Sequence, residues 1–229
     1  MKPSRTIPIA IVVGGIIIAS AIYISVPHNA PVATPTVNPT LVRPVSASDH
    51  IFGDPSAPVM IIEYCDFDSE YCRLFHDVLH QIIANQGASG KVAWVYREFP
   101  LTEIHPDSLA LARAAECAAT SAGASAVPSD DAFWRFASAL FDVQPADPSA
   151  LSPVAATAGL SGAAFAACYA SVPKSLDDRI AADRQNALDM GATGTPFSII
   201  VAQGKTPVVM DGAYSYDAVE QLVSQALRK

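Results

Sequence analysis

Between residues 59 and 99 two apolar, β-branched runs flank a stretch of helical periodicity, and this order constrains the chain more than any other feature. Residues 59–64 (VMIIEY) follow Gly53, Pro55 and Pro58 and read as a buried strand. Residues 70–85 place Tyr71, Leu74, Phe75, Val78, Leu79, Ile82 and Ile83 at helical spacing, and Gly87 follows. Residues 91–99 (KVAWVYREF) form a second strand, stopped by Pro100. Strand, helix and strand in succession make the two strands parallel, with a right-handed crossover. Helical patterns then recur near 107–121, 130–142, 149–159, 161–171 and 174–190, punctuated by Pro128, Pro145, Pro148, Pro153 and Pro173. After Gly191 to Pro196 the pattern changes again. Residues 197–202 and 207–210 read as a hairpin around Gly204, and 215–227 as an amphipathic helix. The order β-α-β, helical block, β-β-α predicts an α/β fold: a small mixed sheet with an all-helical insertion at about 104–190.

The N-terminal region reads differently. Lys2, Arg5 and Arg43 are the only charged residues through position 43, so all 22 acidic residues lie beyond it. Residues 7–26 carry no charge and are mostly Ile, Val, Ala and Gly. A helix of that length matches the ~30 Å hydrocarbon core of a bilayer. The positive head favours an orientation with the remainder exported. Two readings stay open: an uncleaved anchor, or a signal peptide cleaved near Ala19-Ser20-Ala21. Residues 27–47 contain Pro27, Pro31, Pro35, Pro39 and Pro44 and read as an extended linker without a core of its own. The expected organisation is therefore an N-terminal membrane or signal segment at 1–26, a linker at 27–47 and a folded domain at 48–229. The net charge of −8 argues against nucleic acid as a partner. The positive mean hydropathy, +0.28, owes part of its value to the N-terminal run.

The chemistry concentrates where the first strand meets the first helix. The segment runs Glu63-Tyr64-Cys65-Asp66-Phe67-Asp68-Ser69-Glu70-Tyr71-Cys72-Arg73-Leu74-Phe75-His76. A thiol at a helix N-terminus meets unpaired N–H groups and the positive end of the dipole, which favour the thiolate. Other segments accompany it: Gly53-Asp54-Pro55 with Pro58, Val95 to Leu101, Ala114-Ala115-Glu116-Cys117, and Gly194-Thr195-Pro196 before a strand. Together they resemble the DsbA-like branch of the thioredoxin superfamily, in particular exported bacterial members with an N-terminal anchor, from about His50 to the C-terminus. The resemblance implies a thioredoxin-like fold and a thiol–disulfide oxidoreductase, tethered outside the cytoplasm. It implies exported polypeptides as substrates, a membrane redox partner and no cofactor.

This chain departs from the family pattern at its centre. Where relatives carry Cys-x-x-Cys, it has Ser69-Glu70-Tyr71-Cys72. A serine hydroxyl forms no disulfide, so the ordinary two-thiol cycle is closed to this pair. Cys65 sits where many relatives have a small residue without a thiol, as if Cys and Ser had exchanged places. Strand alternation puts Glu63 and Cys65 on one face, where the family's acid lies under the active-site helix. Three readings of Cys65 and Cys72 remain: a displaced redox pair, a non-catalytic peptide- or partner-binding module of chaperone type, and a single-thiol activity through Cys72. The resemblance makes Glu63 a candidate proton shuttle. It makes Thr195-Pro196 a cis-proline site that binds an extended substrate. Cys72, His76 and His80 recur at helical spacing, but no further ligand pair accompanies them, and no metal is expected; both histidines read as surface groups. Cys117 and Cys168 lie in the helical block, and in an exported protein they are expected to form a structural disulfide. Closing a loop of about 52 residues would stabilise the fold by ~4 kcal/mol. Trp94, Trp134, Phe133 and Phe136 read as core.

Overall fold

The computed structural model describes residues 37–121 and 130–228. Five strands, β1 (His50–Phe52), β2 (Val59–Cys65), β3 (Val92–Glu98), β4 (Phe197–Ala202) and β5 (Val208–Asp211), form one sheet in the order β1-β3-β2-β4-β5. β2 and β3 run parallel; the other neighbours are antiparallel. The helix α1 (Glu70–Gln86) is the crossover between β2 and β3. Between β3 and β4 come α2 (Ser108–Thr120), α3 (Asp130–Asp142), α4 (Ser152–Thr157), α5 (Gly162–Ala170) and α6 (Lys174–Asp189); α7 (Tyr216–Leu227) ends the chain. This is the mixed sheet with a helical insertion that the sequence pattern implies.

The two faces of the sheet are covered separately, as strand alternation requires. Ile61, Cys65, Trp94 and Tyr96 pack with Phe75 and Leu79 of α1 and with Phe133 and Phe136 of α3. Ile62, Tyr64, Val95 and Ile199 pack on the other side with Ala187 of α6 and with Met190. Trp94, Trp134, Phe133 and Phe136 are buried, and Trp94 and Trp134 lie with ring centroids 4.3 Å apart.

The strand β1 has no counterpart among the elements expected from the sequence. It is only three residues long and pairs with the edge of β3, His50 opposite Tyr96. The stretch 37–47, expected as linker, is instead laid on the domain. Val37, Val42 and Val45 pack against the lower core, and Asn38 N–H donates to the Met190 carbonyl at 2.8 Å. Arg43 pairs with Asp183, and its N–H donates to Asn186 Oδ1. The buried Arg97 ties this stretch to the sheet: Nε donates to Asp49 Oδ1 at 2.7 Å, Nη1 to Tyr64 Oη at 2.7 Å and Nη2 to the Pro44 carbonyl at 3.1 Å. Proline spacing alone does not distinguish a free linker from a strap whose valines find a groove.

The segment 1–26, including Lys2, Arg5 and residues 7–26, and linker positions 27–36 lie outside the described residues. Among the described residues, no helix is long and apolar enough to cross a membrane.

Candidate active site

The site forms where β2 ends and α1 begins. Ser69 is the N-cap of α1, with extended backbone (φ −83°, ψ 119°), and its Oγ accepts from the Cys72 N–H at 3.4 Å. Serine is among the favoured capping residues because its oxygen satisfies an N–H that the first turn leaves unpaired. Ser69 thus has a structural role here.

Cys65, the last residue of β2, and Cys72, in the first turn of α1, are joined by a disulfide with Cα atoms 5.9 Å apart. Both are fully buried. Cys72 Sγ accepts from the Asp66 N–H at 3.2 Å, an interaction that would strengthen on a thiolate. Glu63 lies on the same face of β2, its Oε1 3.0 Å from Cys65 Sγ, and its Oε2 accepts from Trp94 Nε1 at 2.8 Å. Burial pushes the Glu63 carboxyl up to about 8, against the opposing hydrogen bond from Trp94. At neutral pH the carboxyl is therefore protonated, and its O–H can donate toward the sulfur.

The connection between the two cysteines is pinned. Asp66 accepts from the N–H groups of Asp68 and Leu101 and pairs with His105 Nδ1 at 2.9 Å. The Phe67 ring stacks on Tyr96, with centroids 5.1 Å apart, and its carbonyl accepts from Gln144 Nε2 at 2.9 Å. The Thr195–Pro196 bond is cis, as is Gln144–Pro145. In the antiparallel β2–β4 pair Tyr64 faces Phe197, so one further step sets Cys65 opposite Pro196. The cis proline and the bridge thus belong to one place in the fold. Cys117 on α2 and Cys168 on α5 are joined by a second disulfide, remote from the first in sequence, with Cα atoms 5.6 Å apart.

Of the two histidines of α1, expected at the surface, His80 is half-buried and His76 is not at the surface at all. His76 is buried, its Nε2 3.0 Å from both Ser138 Oγ and His80 Nε2. Burial, then the neighbouring His80, pulls His76 down to about 3, so it is neutral. They face a cleft of about 640 Å³ that Arg73, Asp77, Ser138 and Asp142 also line. Among the described residues, no three His, Cys, Asp or Glu side chains converge to hold a metal ion.

Further polar groups, none of them marked by a motif, stand around the site. His105 reaches Asp66 across 39 positions. Glu98, inside the quoted segment Val95 to Leu101, is the β3 residue paired with Cys65. The period-2 pattern of β3 carried that signal, because it puts Trp94, Tyr96 and Glu98 on one face.

The raised Glu63 value has a measurable consequence. Between its ordinary value of 4.5 and about 8, the folded protein holds a proton that the unfolded chain has released. Stability is therefore greatest below about pH 4.5 and declines by about 1.4 kcal/mol per pH unit for this group until about pH 8. Denaturant unfolding of the oxidised protein between pH 5 and 8 should show this decline, and Glu63→Gln should reduce its slope by one proton. An unchanged slope in the variant would mean that Glu63 is ionised in the fold.

A family model described as Thioredoxin matches residues 46–225. Among solved structures, the chain resembles the crystal structure of alpha-DsbA1 from Wolbachia pipientis, with a TM-score of 0.67 and 24% identity, covering 82% of this chain and 94% of that one. It also resembles Pseudomonas aeruginosa DsbA2, with a TM-score of 0.64 and 23% identity over 81% of this chain and 100% of that one. These likenesses concern the fold. Among curated proteins, a Na(+)/H(+) antiporter NhaA 1 from Mycobacterium sp. (strain KMS) is 41% identical over 81 residues, 35% of this chain and 13% of the antiporter. Another, from Mycolicibacterium vanbaalenii, is 34% identical over 105 residues, 45% of this chain and 15% of that protein. The chain spans about a seventh of the length of these curated relatives.

Proposed function

The chain belongs to the thioredoxin family, and from that premise we propose that it is a thiol–disulfide oxidoreductase of exported polypeptides whose redox pair is Cys65 with Cys72. One observation carries the proposal: the two sulfurs are bridged at the N-terminus of α1, with Glu63 Oε1 3.0 Å from Cys65 Sγ. In the oxidising direction a substrate thiolate attacks Cys65 Sγ, and the bond to Cys72 breaks. Cys72 leaves as the thiolate, held by the Asp66 N–H and the α1 terminus. A second substrate thiolate then attacks the substrate sulfur of the mixed disulfide. Cys65 leaves and takes the Glu63 proton. The substrate gains a disulfide and gives up two electrons and two protons; the protein gains two thiols once the Cys72 thiolate takes up a proton and Glu63 recovers its own, both from solvent. Thr195 and Pro196 present backbone to the extended substrate. Both sulfurs are buried, so the attack requires the 66–69 connection to swing aside.

Tethering belongs to the same proposal. Residues 1–26 would hold the domain at the outer side of a membrane, supported by Lys2 and Arg5 before the charge-free run at 7–26. A membrane redox partner would reoxidise the pair. Ion transport is not inferred, because the antiporter match covers so little of those proteins.

The burial of both sulfurs, with Phe67 and Asp66 pinning the connection, favours a second reading: a peptide-binding module whose bridge is structural. Free-thiol counting under native conditions separates the two. After mild dithiothreitol treatment, the oxidoreductase yields two thiols, at Cys65 and Cys72, and a protein that catalyses refolding of a reduced, disulfide-containing substrate once reoxidised. Cys65→Ala loses that activity and keeps one free thiol without treatment. A bridge that opens only in denaturant, with no refolding activity, would reject the oxidoreductase and leave the binding module.

A further inference from the structure

Glu98 is fully buried, and among the described residues neither of its carboxyl oxygens has a hydrogen-bond partner. An ionised carboxylate without a donor is among the costliest groups a protein interior can hold. The charges that face it make ionisation harder. Glu116 on α2, Asp183 on α6 and Asp66 after β2 are all within electrostatic reach, and only Arg179 on α6 opposes them. Arg179 is already engaged, with Nη1 3.2 Å from Glu116 Oε2, while His50 of β1 approaches Glu116 Oε1 at 3.2 Å. On its own strand, the Tyr96 hydroxyl is buried, has no hydrogen-bond partner among the described residues and offers no charge. Burial, then Glu116 and Asp183, hold the Glu98 carboxyl well above the usual carboxylate range.

Its position gives this proton a use. β2 and β3 are parallel, with Cys65 paired to Glu98 and Glu63 to Tyr96. Paired residues project from the same face of a sheet. Cys65 therefore has an acid two residues before it on β2 and another beside it on β3. Opening the bridge to two thiols takes up two electrons and two protons.

We propose that Glu98 is a proton-holding residue of the redox site, paired across the sheet with Cys65: when the Cys65–Cys72 bond is reduced, Glu63 gives its proton to Cys65 and Glu98 supplies the second, which ends on the Cys72 thiolate. This rests on the redox role of that bond. The electrons come from a dithiol. Its two sulfurs join as the Cys65–Cys72 bond breaks, and its protons return through solvent to the two carboxyls, so the acids end the cycle unchanged.

The test is stopped-flow reduction of the full chain by dithiothreitol, followed through the fluorescence of buried Trp94 beside Glu63 and referred to the dithiothreitol thiolate concentration. Glu98→Gln keeps the shape and neutrality of the side chain and removes the transferable proton. Wild type should show a rate that falls at alkaline pH as the acids ionise. Glu98→Gln should be about tenfold slower at neutral pH, with one proton fewer in the alkaline fall, because Glu63 still supplies general acid catalysis. Glu98→Asp should recover part of the rate, and thermal midpoints of the folded variants should agree with wild type. Superimposable pH profiles for wild type and Glu98→Gln would overturn the role of Glu98 while leaving the redox pair intact. A wild-type bridge that dithiothreitol does not open in the folded protein would overturn both. If Glu98→Gln does not fold, the alkaline fall in Glu63→Gln decides: a remaining one-proton fall supports Glu98, and a flat profile overturns it.

Discussion

Exchanging the two residues, Cys65→Ser together with Ser69→Cys, is expected to move the bridge to the start of α1 and to raise the rate of exchange with protein thiols about threefold. Position 69 is the N-cap, three residues before Cys72, and its side chain already reaches the Cys72 N–H. Two cysteines at such a separation meet the Cα distance that a disulfide needs. A thiol there would have the unpaired first-turn N–H groups and the helix dipole in front of it. With an acidity near pKa 6.5, it would be mostly thiolate at pH 7, against a few per cent for an ordinary cysteine, roughly a twentyfold gain in attacking species. Part of this is offset because a more acidic thiolate is a weaker nucleophile; loss of the serine cap separately lowers stability by about 1 kcal/mol. The check is alkylation and mass mapping of the air-oxidised double variant, with insulin reduction as the activity measure. Two unpaired thiols after oxidation would mean that the α1 terminus no longer supports a redox pair.

The second large effect concerns stability. Cys117→Ala with Cys168→Ala is expected to destabilise the fold by ~4 kcal/mol, the entropy of closing the loop between α2 and α5. For a domain of this size that corresponds to a fall in Tm of about 10 °C. Cys117 is buried, and alanine fits among the small residues Ala114, Ala115 and Ala118 of α2 without overpacking. Thermal unfolding by circular dichroism measures it. A fall below about 2 °C would mean that helix packing alone holds α5. The same variant should leave reduction of the Cys65–Cys72 bridge unchanged.

The sheet's long strands were legible because each is a mostly apolar, β-branched stretch of six or seven residues. β1 was not, because His50–Phe52 carries no alternation long enough to read and owes its pairing to the exposed edge of β3. The last helices were legible from their periodicity, except that α4 is only Ser152–Thr157, shorter than the spacing suggested. At the site, Cys65, Cys72, Ser69 and Glu63 stand within one stretch of ten residues, so they could be singled out together. Glu98 was legible only through the alternation of β3; His105 and Gln144 were not, because what brings them to the site is the return of the chain after β3 and after α3. The burial of His76 had the same origin: Ser138 and Trp134 come from a helix more than fifty residues away. Side chains that face partners distant in sequence leave no local pattern to read.

The strap formed by residues 37–47 shortens the leash on which this domain could move. Those eleven residues, extended, would have given roughly 35 Å of contour between the domain and whatever precedes it. Bound through Asn38 to Met190 and through Arg43 to Asp183, they give none. The exit point of the chain is instead fixed beside the end of α6. Any attachment upstream of residue 37 therefore sets the position of the Cys65–Cys72 bridge more tightly than the proline count implied.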